Sequence, residues 1–277
     1  MEGIRAMSLV LTLREQCPAP DDLRGVSPRL LGALTPSEAA RQPLSPRPGA
    51  GDIGTLFKVS DNGSAHPDRL IVRTGARRLD GLGRNLDGGC LRVEGHAGAA
   101  LGQDMQAGEI VVDGDCGDFA GCGMRGGSIR VLGDAGHFLA GALHDARQGM
   151  AGGTLVVHGR AADRAGHRMR RGLVLVGQGC GAACGAGMLA GTLVTPSCGP
   201  LPGLGLRRGS LVLRQAPELA ITYNGSGLVD LNWLRLLARV CAAHMPDLLP
   251  PQAQVQARRH CGDLACGGKG EILVLAP

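Results

Sequence analysis

Short bursts of alternating apolar and polar residues recur along this chain at a nearly constant interval. Residues 90–108 read CLRVEGHAGAALGQDMQAG, and residues 109–127 read EIVVDGDCGDFAGCGMRGG. Residues 128–153, SIRVLGDAGHFLAGALHDARQGMAGG, are the same unit with seven extra residues. Residues 154–172, 173–191 and 192–209 continue the series, and 69–89 is a weaker first copy. Seven units therefore repeat with a period near 19, which is the mark of a stacked architecture. Each unit opens on period-2 alternation, as in Leu91 and Val93, Ile110 and Val112, or Ile129 and Val131. That pattern predicts a short strand with one face buried.

Glycines follow at matched offsets, Gly95, Gly98 and Gly102 in one unit, Gly114, Gly117 and Gly121 in the next. Such positions predict corners where a Cβ would be costly. Met105, Met124, Met150, Met169 and Met188 each precede a glycine by three residues, so five of the eight Met share one position. No unit contains the long 3.6-residue periodicity that a helical repeat needs. Nineteen residues of extended chain enclose a perimeter of roughly 60 Å, a tube only a few side chains across. The predicted fold is all-β, a right-handed parallel β-helix of about seven coils, with the methionines as an internal core ladder.

A stack of strands must cover its ends. Residues 230–245, DLNWLRLLARVCAAHM, place Leu231, Leu234, Leu237 and Cys241 on one helical face, with Asp230 as N-cap and Pro246 as stop. This predicts a C-terminal capping helix, or a helix that binds a partner. At the other end Leu9, Leu11 and Leu13 alternate as a strand. Thr35, Pro36 and Glu38 match N-cap, N1 and N3 of a capping box for a helix over 36–41. Residues 43–51 read as a linker and 53–60 as a strand, a degenerate first coil. The expected organisation is a small N-terminal α/β segment (1–60) packing on the solenoid, the β-helix (61–213), and a C-terminal cap with helix and final strand (214–277).

Composition sharpens this picture. The chain has 47 Gly and 16 Pro among 277 residues but only three Phe, Tyr223 and Trp233 as aromatics. A rounded core would use more rings; a narrow tube has no room for them. The net charge is +5, and Lys58 and Lys269 are the only lysines among 29 basic residues. Arginine in such excess is either solvated surface charge or a fit to carboxylates and phosphates. No basic run interleaved with stacking aromatics points to nucleic acid. No apolar leader-like stretch follows Met1, and no run of 18 apolar residues suggests a membrane span. Ten cysteines without a secretory leader read as free thiols of a cytoplasmic protein.

The chemistry on offer is sparse. Cysteine spacings (Cys116 to Cys122, Cys180 to Cys184, Cys261 to Cys266) contain no CxxC pair, and Cys116 and Cys180 stand where Ala97, Ala135 and Ala161 stand in other units. They read as core thiols, not ligands. His96, His137, His158 and His167 occupy four different offsets, so no histidine column is expected and solvated imidazoles are. The stretch 114–123, GDCGDFAGCG, lacks the Lys and Ser/Thr of a phosphate loop. No catalytic, cofactor or metal residue is singled out. Two features remain as contact candidates. One is the insertion 143–149, LHDARQG, with His144, Asp145 and Arg147. The other is an arginine row, Arg125, Arg170 and Arg207 at one offset, joined by Arg171 and Arg208.

GHAGAALG at 95–102 and GDCGDFAG at 114–121 match the GxxGxxxG repeat of the glutamate synthase C-terminal domain. The chain resembles more closely the C subunits of formylmethanofuran dehydrogenase and of its bacterial relative, the formyltransferase/hydrolase complex. That resemblance includes the long unit, the following TLVVHGRAADRAGHRMRRG, the cap region and the tail GDLACGGKGEILVL, from about residue 52 onward. It implies a non-catalytic β-helical subunit that holds catalytic partners together in one-carbon metabolism. The bacterial complex moves a formyl group from tetrahydromethanopterin to a methanofuran-like carrier and releases formate. The archaeal one is a tungsten or molybdenum dehydrogenase. The Arg- and Ala-rich composition resembles a high-GC methylotroph and favours the former. The resemblance implies other subunits of a hetero-oligomeric complex as partners, with no cofactor in this chain and a polyglutamyl carrier as a further contact. A glutamate-synthase-like linker domain and a stand-alone β-helix enzyme are the rival classes.

Overall fold

A computed structural model of the chain describes residues 8–15, 22–63, 68–249 and 256–276. The first seven residues, where a leader would begin, lie outside the described residues. The N-terminal part comprises β1 (Leu9–Leu13), α1 (Pro28–Leu31), α2 (Pro36–Ala40), α3 (Ile53–Leu56) and β2 (Phe57–Asp61). The repeats supply β3 (Arg69–Leu79), β4 (Asp87–Ala97), β5 (Ala107–Val112), β6 (Ser128–Val131), β7 (Ala151–Val157), β8 (Arg171–Val176), β9 (Thr192–Thr195) and β10 (Arg208–Leu213). Then follow β11 (Asn224–Asp230), α4 (Trp233–His244), β12 (Gln256–Gly262) and β13 (Lys269–Leu275).

All of these strands form a single 13-stranded sheet, ordered β11-β12-β13-β10-β9-β8-β7-β6-β5-β4-β3-β1-β2. From β3 to β10 every pairing is parallel, and its register is the sequence period. Leu91 pairs with Ile110, Ile110 with Ile129, Ile129 with Leu155, and Leu155 with Val174. The seven extra residues of the long unit are therefore absorbed between strands, and the register survives them. A second column of parallel bridges joins Cys116, Ala135, Ala161, Cys180 and Cys198 at the same intervals.

The inward positions of each strand form continuous apolar rows, and Leu91, Val93, Ile110, Val112, Ile129 and Val131 are fully buried. The five methionines Met105, Met124, Met150, Met169 and Met188 are also fully buried. Each methyl end lies under the glycine that closes the next unit. A Cβ on Gly153 would stand 2.6 Å from the Met124 methyl, and one on Gly172 2.8 Å from that of Met150. The spacing of Met and Gly in the sequence is thus one packing contact, repeated.

The corners are held by two side-chain ladders that the repeat analysis did not foresee. In one, His96 Nδ1, Asp115 Oδ1 and Asp134 Oδ1 accept the backbone N–H of Asp115, Asp134 and Arg160, each in the following unit. In the other, Asp80, Asp118, His137 and Asp163 accept from Ala99, His137, Asp163 and Ala182. His96 and His137 are solvated rings, 41% and 51% exposed, and each also accepts a backbone N–H through Nδ1. The adjoining glycines follow from these ladders: a Cβ on Gly133 or Gly136 would collide with the Oδ1 of Asp115 or Asp118.

Both ends of the parallel run close on antiparallel strands. β13 pairs parallel with β10 and antiparallel with β12, which pairs with β11. At the other end β1 continues the parallel ladder, Leu9 opposite Leu70, and β2 pairs antiparallel with β1. The expected strand over 53–60 thus begins only at Phe57, and it is not a first coil. Ile53 and Leu56 bury at a three-residue spacing, which turns that stretch into α3. The capping box of α2 is formed, with Thr35 and Glu38 exchanging both bonds.

The C-terminal helix also differs from expectation in two ways. Asp230 ends β11 opposite Gln256, so extended pairing prevents it from capping, and Asn232 precedes the helix instead. And α4 does not cross the end of the stack. Its face Leu234, Leu237, Ala238 and Cys241 packs on the outward row Val156, Leu175, Val194, Val212 and Leu273. The earlier units carry Ile71, Arg92, Val111 and Arg130 at that outward position, so arginines interrupt the apolar row there.

Two stability outcomes follow. Met124→Asp puts an unpaired charge into a dry core and should cost several kcal/mol, read as loss of cooperative folding in thermal denaturation. Asp134→Ala removes one rung of a corner ladder and should cost about 1 kcal/mol, comparable to loss of a helix cap.

Candidate partner surface

The arginine row is a real column. The backbone N–H groups of Gln106, Arg125, Ala151, Arg170, Leu189 and Arg207 donate to Leu86, Met105, Met124, Met150, Met169 and Met188 in turn. Each buried methionine is followed by one of these outward residues, so the row lies directly over the ladder. Arg125, Arg170 and Arg207 are exposed, as are Arg171 and Arg208. Arg208 stands opposite Lys269 on β13, which extends the positive strip across the last strand pair. No carboxylate among the described residues makes an ion pair with these five arginines.

The insertion is anchored at both ends to the next unit. Ala142 donates to the His167 carbonyl, and Gly149 to that of Arg168. Arg168 reaches the Ala146 carbonyl, and Arg170 of the row donates to Gln148 Oε1 at 2.9 Å. Loop and arginine row are therefore one continuous surface. His144, Asp145 and Arg147 are exposed on it.

His144 turns back onto an aromatic stack that the sequence analysis missed. The Phe119 and Phe138 rings lie 4.9 Å apart and 9° from parallel, with His144 edge-on to both at 5.6 and 6.3 Å. His167 meets Phe138 edge-on at 5.5 Å, and the Arg164 guanidinium lies 5.5 Å from the same ring. The signal was present: the two phenylalanines are 19 residues apart, hence at one offset. Both adopt left-handed backbone, φ 60° and 57°, a conformation that costs a bulky residue roughly 1–2 kcal/mol. The rings are half-buried.

Elsewhere the chemistry is quiet. Burial pushes the Cys116 and Cys122 thiols up to about 12, which leaves them protonated core groups. Among the described residues no group of three or more His, Cys, Asp or Glu is placed to hold a metal ion, and no helix is long and apolar enough to cross a membrane. A cavity of about 330 Å³ lies where the end of α4 meets the sheet, lined by His158, Arg214, His244 and Asp247 among others.

No protein-family model matches the chain. The C subunit of the formyltransferase/hydrolase complex Fhc of Methylorubrum extorquens is 39% identical over 267 residues, 96% of this chain and 99% of that protein. This chain belongs to the family of that protein. The crystal structure of the formyltransferase/hydrolase complex FhcABCD from Methylorubrum extorquens, in complex with methylofuran, contains a chain that superposes with TM-score 0.85. That match is 38% identical and covers 97% of this chain and all of the other. Similarity over the full length of the relative places the repeats, the insertion and the C-terminal strands within one family architecture.

Two partly buried imidazoles of this Fhc homologue should make its stability depend on pH. Burial, with Arg168 and Arg164 nearby, lowers the His167 pKa, and burial with Arg130 nearby lowers that of His158. Such groups are protonated first in the unfolded chain, so their contribution is complete above 6.5 and is lost as pH falls below it. The melting temperature should drop between about pH 7.5 and about pH 5. His158→Gln with His167→Gln should lessen that dependence, leaving the part due to His260, which burial and Arg258 lower in the same way.

Proposed function

We propose that this chain is the non-catalytic structural subunit of a formyltransferase/hydrolase complex. The observation that carries the reading is the end-to-end similarity to one chain of that complex, in sequence and in fold. The complex would move a formyl group from tetrahydromethanopterin to a methanofuran-like carrier and release formate, with catalysis in its other subunits. The solved relative was captured with methylofuran, which supports a carrier of that class. Its multi-subunit composition supports hetero-oligomeric partners here. Nine unpaired cysteines among the described residues fit a reducing, cytoplasmic setting.

The architecture in this reading is a right-handed parallel β-helix over 61–213, with 1–60 packed on one end and 214–277 completing the other. Support comes from the two parallel columns, β3 to β10 and Cys116 to Cys198, which advance by the same unit. A stack of that kind is rigid and repeats its surface at roughly 4.8 Å per unit. The row Arg125, Arg170, Arg207 with Arg171 and Arg208, and the loop residues His144, Asp145 and Arg147, form the contact surface. Its guanidinium groups, none in an ion pair among the described residues, suit an acidic face on another subunit or the glutamyl chain of the carrier.

The purified chain alone should show no formyl transfer or hydrolysis, and should restore activity when combined with the remaining subunits. Turnover by the isolated chain would sink the reading. Exposed charges act weakly one at a time. Replacing Arg125, Arg170 and Arg207 together by Glu should therefore be the informative change. It should weaken assembly or raise the carrier's KM, most clearly at low ionic strength; wild-type behaviour at low salt would reduce the row to solvated surface.

A further inference from the structure

We propose that the recess beside the end of α4 is a binding site for a small organic oxyanion, a carboxylate or a phosphate ester. This inference stands apart from the assembly reading above. The residues that follow the strands form a column of their own. His158, Gly177 and Arg214 come directly after Val157, Val176 and Leu213, which end β7, β8 and β10. Backbone bonds hold them in register, His158 N–H to Val131 O, Gly177 N–H to Val157 O and Arg214 N–H to Pro196 O. The chain leaving α4 comes close to this column at Gly177. A Cβ there would collide with the His158 carbonyl oxygen and stand 3.1 Å from Met245 Sδ. With no side chain from Gly177, a cavity of about 330 Å³ remains between the column and residues 244–248.

Three basic side chains line this cavity, His158, Arg214 and His244. None of them is in an ion pair among the described residues. Arg214 is exposed and spends one N–H on the Asp247 carbonyl at 3.1 Å, which leaves the rest of its fork free for a ligand. The Nδ1 of His244 is buried without a hydrogen-bond partner, so Nε2 is the nitrogen of that ring left to reach the cavity. Burial, with Arg130 nearby, lowers the His158 pKa; a second guanidinium therefore stands close behind this ring, and its Nε is buried without a partner. Asp247 is the one acid among the lining residues. The recess thus sets two guanidinium groups and two imidazoles against one carboxylate.

That balance selects the occupant. A guanidinium fork matches two oxygens of one carboxylate or phosphate, and imidazole N–H groups add charge-assisted bonds to the same head group. Met245, Pro246 and Leu248 give the cavity an apolar wall for the body of the ligand, and its volume is in the range that holds a small molecule. A metal ion finds no ligand set here, because no three metal-binding groups come together among the described residues, and Arg214 would repel it. A neutral apolar ligand would strip water from Arg214 and both imidazoles without replacing its bonds.

The test is an NMR titration of the full chain carrying labelled histidine, with inorganic phosphate in one arm and acetate in the other. The His158 and His244 resonances should shift saturably, and the arm that binds more tightly identifies the head group. Arg214→Gln, at an exposed position, should keep the melting temperature and weaken binding by about tenfold, the worth of a charge-assisted hydrogen bond. Arg69→Gln, an exposed arginine of β3 at the other end of the parallel run, should change nothing, whereas diffuse attraction to a basic surface would be weakened by both alike. Asp247→Asn should strengthen binding by removing the opposing charge; a cation site would respond in the reverse direction. No saturable shift at either imidazole in either arm, equal weakening by Arg69→Gln, or weakening by Asp247→Asn overturns the proposal.

Discussion

At every corner of a stacked strand architecture the backbone leaves the sheet ladder, and its N–H groups must still find acceptors. In this chain most are backbone carbonyls of neighbouring units, and side chains of the unit before supply the rest. Asp115, Asp134, Asp118 and Asp163, with His96 and His137, each hold a backbone N–H one unit further on. These bonds add to the bridge column Cys116, Ala135, Ala161, Cys180 and Cys198 in fixing the relative position of successive units. A buried or half-buried amide left without such a partner would cost about as much as a lost hydrogen bond.

The glycine pattern is a consequence of that constraint and of the methionine ladder together. Gly133, Gly136 and Gly159 are glycine because an aspartate oxygen of the preceding unit occupies the place of a Cβ. Gly153, Gly172 and Gly191 are glycine because a methionine methyl does so, and because φ there is positive. Each glycine thus records a side chain one unit away. The repeat is maintained along the chain because every unit is at once lock and key for its neighbours. Changing one position asks for a matching change 19 residues off.

With the interior filled by small and flexible apolar groups, polar and aromatic chemistry is displaced to the outward columns. Stacking then converts a sequence offset into a row on the surface. One column carries the arginines, another the phenylalanines and Arg164, and the insertion joins them through Arg170 and His144. Such rows suit a molecule that presents contacts to other chains, in keeping with the family to which it belongs.

Much of this was legible in the residues alone, because a period repeated along the chain averages out the ambiguity of any single segment. The register of β3 to β10, the burial of the methionines, the core place of Cys116 and Cys180 and the offset of Arg125, Arg170 and Arg207 all follow from aligning the units, the long one and the last short one included. What the period does not reach, only the tertiary structure decided. The stretch 53–56 became α3, and Asp230 stayed in a strand. The helix α4 settled on the outward face because Val156, Leu175, Val194 and Val212 form an apolar row there. Those residues are apolar on both faces of their strands, so alternation alone could not say which face was covered. Likewise the contact between His144 and the two phenylalanines depends on how a seven-residue loop folds back, and no neighbouring unit repeats it. Local spacing determines what stacking repeats; unique contacts between distant segments are settled by the packing that brings them together.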